Sequence, residues 1–99
     1  MNSKEREYGA YGKVVGEKFI PLVLVLPGSV ENNFLIESKI DLQVDRYGNV
    51  FYRHANAFMK AKVVNHIETS DISTLIKDLK KAGFSFRPYN HSSNFPAPL

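Results

Sequence analysis

The sequence predicts an α+β domain: an antiparallel sheet of about five strands with one amphipathic helix packed on one face, in the order β-β-β-β-α-β. Three observations predict it. Leu22-Val23-Leu24-Val25-Leu26 is aliphatic at every position, the pattern of a strand buried on both faces. Ile36, Ile40, Leu42 and Val44 alternate with Glu37, Lys39, Asp41, Gln43 and Asp45, the period of a half-buried strand. Ile72, Leu75, Ile76 and Leu79 recur at the spacing of one helix face, over residues 71–82.

In chain order, residues 1–9 are polar and read as a loose arm ending at Gly9. Residues 10–15 form a first strand. Gly16-Glu17 is a two-residue hairpin turn, with Gly at the first central position as a type II′ turn requires. The second strand spans residues 18–26, and Pro21, which has no ladder donor, marks a bulge or a break in pairing. Pro27-Gly28-Ser29 stops it. After the alternating third strand, Asp45-Arg46-Tyr47-Gly48 suits a type I turn closed by a left-handed glycine. That turn places Asp45 opposite Asn49, Asp41 opposite Arg53 and Ile40 opposite His54, with the charged pair on the outer face.

From Val50 to Val63 the apolar positions change faces, so a long strand with a bulge near Ala55-Asn56-Ala57 is expected. Ser70 or Asp71 caps the helix, acidic charge opens it, Lys80 and Lys81 close it, and Gly83 is the left-handed residue after it. Residues 84–87 form a last short strand. Residues 89–99, with Pro96 and Pro98, form an extended tail. The expected core is Leu22 and Leu24, then Ile36, Ile40, Leu42 and Val44, and the four apolar residues of the helix.

Composition narrows the function classes. With 99 residues the chain has room for a single domain, 1–99, and its seven Phe and five Tyr supply large side chains for one core. It has no cysteine, which excludes zinc ribbons, Fe–S clusters, thiol catalysis and disulfide scaffolds. The longest apolar stretch, residues 19–26, is interrupted by Pro21 and falls well short of the roughly 20 residues of a membrane span. The mixed charges of residues 1–7 do not resemble a secretory signal, so we expect no membrane contact and a cytoplasmic location. The sequon at Asn90 is then a chance match. The net charge of +3 lies in the C-terminal part: residues 1–30 carry +1, residues 31–59 carry −1 and residues 60–99 carry +3.

Chemistry-bearing patterns are sparse. Gly9, Gly12 and Gly16 do not have the spacing of a phosphate-binding loop, and no helix follows them. His54, His66 and His91 fall on different predicted elements without a carboxylate partner at ligand spacing, so neither a metal nor a cofactor is expected. The hairpin register brings Tyr52, His54, Asn56 and Ser38 to one face. There His54 can act as a general base, with Tyr52 and Lys62 stabilising phosphate charge, as in a metal-free ribonuclease. The same groups can equally satisfy one another without chemistry. Lys60, Lys62, Lys77, Lys80, Lys81 and Arg87 form a possible nucleic-acid face. Helix lysines on the solvent side also serve solubility alone.

The most informative anomaly is surplus apolar surface. One helix covers roughly one face of three or four strands, yet residues 22–26 and 50–63 are apolar on two faces. The second face needs a cover: the arm with Tyr8 and Tyr11, the tail with Phe95 and Leu99, or another chain. The expected function is a small non-enzymatic protein–protein interaction module of accessory or inhibitor type. Its partner is a second copy of itself, an unidentified protein, or both. The expected interface is the outer face around Phe51, Ala55, Ala57 and Met59, where small residues admit close approach. Nucleic-acid binding through the basic set is the first alternative, and a metal-free ribonuclease the second.

Overall fold

A computed structural model describes residues 7–53 and 61–88, and the description below concerns those residues. They form one antiparallel sheet with a single helix, as the sequence predicts, and the sheet has six strands where about five were expected. The elements are β1 (Gly9–Val15), β2 (Lys18–Pro27), β3 (Phe34–Asp45), β4 (Val50–Phe51), β5 (Ala61–Thr69), α1 (Ser73–Lys81) and β6 (Ser85–Pro88). The strands run β6-β1-β2-β3-β5 across the sheet, and β4 lies on the same side of β3 as β2, farther along it. α1 therefore carries the chain from one edge strand to the other. It is too short to cross a membrane, and no other α-helix is present among the described residues.

The first hairpin follows the turn chemistry of the sequence. Gly16 has φ +64°, and Val15 pairs with Lys18 around the two-residue turn. The expected irregularity at Pro21 is present: Tyr11 pairs with Val23 but Gly12 pairs with Pro21, leaving Leu22 as the extra residue of a bulge. β3 takes up pairing with β2 only from Val23 onward, so the missing donor of Pro21 interrupts no bond to β3.

The core lies between the sheet and α1, and β2 is buried on both faces from Val23 to Val25, as expected. Val23 and Val25 face the helix, with Tyr11 opposite Val23 and Ile36 opposite Val25. Leu24 is buried on the opposite face beside Ala10, while Leu22 packs against the core only in part. An all-aliphatic strand does not reveal which parity faces the helix; its neighbours decide that. Ile36, Leu42, Ile72, Leu75 and Leu79 are buried as expected, and Ile40, Val44 and Ile76 are partly buried against them. Tyr8 also belongs to this packing, edge-on to Phe34 at 5.9 Å, so the N-terminal arm gives way to structure before Gly9.

Asp45, expected on the outer face, is 6% exposed. Its carboxylate accepts the Tyr47 amide (2.8 Å), the Asn49 amide (3.0 Å) and the Asn49 side-chain amide (3.1 Å), and the Gly48 amide donates to its carbonyl (3.1 Å). The β3–β4 turn thus folds around a buried carboxyl group whose oxygens accept from the amides of the turn. Asp45→Ala leaves these donors without their acceptor and should cost about 1–3 kcal/mol in chemical denaturation, with the fold retained.

The sequence register holds where β4 exists, with Val44 opposite Val50 and Gln43 opposite Phe51. The long strand over residues 50–63 does not form. β4 ends at Phe51 because Tyr52 turns to the helix: its amide donates to Asp78 (3.2 Å), and its ring meets Phe84 edge-on at 5.3 Å. The expected Asp41–Arg53 pair is consequently absent. Arg53 lies over the Tyr52 ring (5.3 Å), and Asp41 accepts the Asn65 side-chain amide (3.1 Å). Ala61–Thr69 is a separate strand on the far edge of β3, extending beyond the expected apolar run. A register shift lies between Glu37 and Leu42, where Ser38 to Asp41 face only Asn65 and the Asn65 amide also donates to the Ile40 carbonyl (2.9 Å). The bulge expected at residues 55–57 lies outside the described residues, as do the opposition of Ile40 and His54 and the tail 89–99.

The helix is shorter than expected at both ends. It begins at Ser73, with Ile72 as N-cap, so no acid sits in its first turn. Asp71 still accepts the Ser73 amide (2.9 Å) and hydroxyl (2.8 Å). At the other end Gly83 has φ +85°, the Phe84 amide reaches the Leu79 carbonyl (3.0 Å) and the Gly83 amide reaches Lys80 (3.1 Å), a Schellman closure. It delivers Phe84 into the core, and the last strand starts one residue later than expected.

Candidate interaction surfaces

Of the expected site residues, Phe51, Tyr52, Lys62, Lys77, Lys80, Lys81 and Arg87 are among those described. Lys77, Lys80 and Lys81 are exposed on α1. Arg87 is exposed on β6 at one sheet edge, stacked over the Phe19 ring at 4.6 Å, and Lys62 is exposed on β5 at the other edge. Arg87 and Lys62 thus stand at opposite edges of the sheet, and Lys60 lies outside the described residues. Tyr52 is a packing residue between Phe84 and Arg53, with β3 between it and Lys62. Ser38 is engaged with Ile40, donating to its carbonyl (2.6 Å) and accepting its amide (3.1 Å). His54, Asn56, Ala55, Ala57 and Met59 lie outside the described residues. Phe51 is half-buried, opposite Gln43. No group of three or more His, Asp or Glu converges among the described residues.

The second sheet face is less apolar than the sequence implies. Tyr8 and Tyr11, one of its three candidate covers, pack on the helix side. Ala10 and Leu24 lie in one row with Arg87, Glu37 and His66, and His66 Nδ1 stands 3.5 Å from Glu37 Oε1. The next row is Leu26, Leu35 and Glu68.

Glu68 clasps the β2–β3 loop. Its carboxylate accepts the Ser29 amide (3.0 Å) and hydroxyl (2.8 Å), the Val30 amide (3.3 Å) and the Asn33 side-chain amide (3.0 Å). These bonds, the Asn33 amide foremost, lower its pKa from 4.5 to about 2. The unfolded chain therefore takes up this proton first as pH falls. The clasp is at full strength above pH 4.5 and is lost toward pH 2. At the other extreme, burial, with Glu7 adding to it, pushes the Tyr11 phenol from 10.0 up to about 12, so stability also falls as pH rises through that interval. Thermal unfolding across pH should show both flanks, and Glu68→Gln should remove its share of the acid one.

Apolar surface concentrates instead on the β1–β2 hairpin. β6 accompanies β1 only as far as Gly12, and β3 accompanies β2 only from Val23. The segment beyond is a two-stranded arm. It carries Val14 (56% exposed), Val15 (61%) and Ile20 (42%), half of the exposed large hydrophobic residues among those described. Strand pairing puts Val15 and Ile20 on one face and Val14 on the other, with Glu17 exposed in the turn. Lys13 anchors the base of the arm: its ammonium donates to the Ala82 carbonyl at the C-terminus of α1 and lies 4.4 Å above the Phe84 ring. Sequence reasoning did not single out Lys13, because its partners are 69 residues away.

A second feature is an open groove of about 580 Å³ along β3 and β5. Val44, Val64 and Ile67 line it and back onto the core, with Arg46 and Lys62 at its polar end. No family model, curated protein or solved structure matches the chain.

Proposed function

We propose that the chain is a small non-enzymatic protein–protein interaction module that self-associates and acts as an accessory or inhibitory subunit. The observation that supports this most directly is the β1–β2 arm. An isolated two-stranded ribbon is marginal in water, yet this one projects aliphatic side chains from both faces. Burying them against another surface both stabilises the ribbon and removes exposed apolar area, the combination expected of a contact element. Of the basic set, Lys62 and Arg87 lie at opposite sheet edges, which favours a protein contact over a nucleic-acid track running through both.

Size-exclusion chromatography with light scattering tests the reading. A mass above 11.2 kDa that rises with concentration is expected, and Val14→Ser with Val15→Ser should lower it without altering the circular dichroism spectrum. A strict 11.2 kDa monomer at the highest attainable concentration would remove the self-association.

A further inference from the structure

Resting on that reading, we propose that the partner surface for the arm is the β3–β5 groove of a second copy, so that the chain assembles head to tail. The two surfaces are unlike each other. The arm offers Val14, Val15 and Ile20 with a carboxylate, Glu17, at its tip. The groove offers an aliphatic floor of Val44, Val64 and Ile67, with two cations, Arg46 and Lys62, at its Val44 end.

The charges at that end favour an incoming carboxylate. Neither Arg46 nor Lys62 forms an ion pair among the described residues: Arg46 donates to the Tyr47 hydroxyl (2.8 Å), a neutral partner. Asp45 also lines the groove, but its carboxylate is held by the turn amides and is almost wholly buried. On the arm, Lys18 neighbours Glu17 and weakens the electrostatic term. Burial of the aliphatic side chains therefore supplies most of the affinity, and Glu17 sets the orientation.

The arm cannot fill the groove of its own chain. The arm continues β1 and β2, Lys13 ties its base to the end of α1, and the groove lies on the far side of β3. A contact between two different surfaces of identical chains is heterologous. It closes into a ring or grows into a chain, and it does not stop at a two-fold dimer.

Complementation separates this arrangement from a symmetric dimer. Val14→Ser with Val15→Ser disables the arm and leaves the groove; Arg46→Glu with Lys62→Glu disables the groove and leaves the arm. All four positions are exposed, so both variants should keep the wild-type circular dichroism spectrum. Each alone should self-associate at least tenfold more weakly than wild type. Mixed in equal amounts, they should form a 1:1 pair of about twice the monomer mass, since one intact arm meets one intact groove. If the wild type associates but either variant still does so equally well, or the mixture restores no pair, the head-to-tail contact is wrong and self-association stands. Loss of association on Phe51→Asp with both variants unaffected would place the interface on the β4 face instead. A monomeric wild type would overturn both proposals.

Discussion

Leu75→Ala should lower the unfolding free energy by about 2–5 kcal/mol, a large share of the roughly 5–15 kcal/mol expected of a chain this size. Leu75 has no exposed surface and sits in the middle of the helix face that covers Val23, Val25, Ile36 and Leu42. Truncation removes contacts that no neighbour can restore, since α1 is held at its end by the Schellman closure and along its length by Asp78 on the Tyr52 amide. Urea denaturation should show a lower midpoint with an unchanged slope. Ile76→Ala, one position away but only partly buried, should cost markedly less, and equal losses would mean that the helix packs on a different face.

Gly12→Ala should be the next most damaging change, for a reason unrelated to backbone freedom. A methyl group at this position would lie 2.0 Å from the Ile20 carbonyl oxygen and 3.0 Å from the edge of the Phe19 ring. The oxygen belongs to the backbone of β2, so relief requires β1 and β2 to separate at the bulge where Gly12 meets Pro21 and where pairing with Ser85 ends. Overpacking of this kind costs about 1–3 kcal/mol, and contact with backbone places it toward the upper limit. Gly16 supplies the contrast. A side chain there meets nothing within 4 Å, and only its φ of +64° is unfavourable to an L-residue. Asn tolerates that conformation, so Gly16→Asn should be mild whereas Gly12→Asn should be as harmful as Gly12→Ala. Hydrogen exchange would locate the second effect: Gly12→Ala should raise exchange along the whole arm, and Gly16→Asn only at the turn.

What could be read from the chain alone was what depends on neighbours within a few residues. The Gly16-Glu17 turn, the pairing of Val44 with Val50 around Gly48, the disturbance at Pro21 and the closure at Gly83 all follow from the conformational limits of glycine and proline. The helix face and the alternation of β3 follow from the 3.6- and 2-residue periods, and together with the turns they specified the fold class. The tertiary structure decided everything that depends on which distant segments meet. An all-aliphatic β2 is compatible with either face inward, and Tyr11 and Ile36 choose Val23 and Val25. Residues 50–63 have the composition of one strand, but Asp78 and Phe84, more than two dozen residues on, draw Tyr52 away and end β4. Lys62 and Arg87, read together from composition, are placed at opposite sheet edges, while Arg46 and Lys62, from different segments of the chain, come to line one groove. Periodicity is a property of one segment, whereas strand pairing and face choice are settled by the burial that all segments reach together.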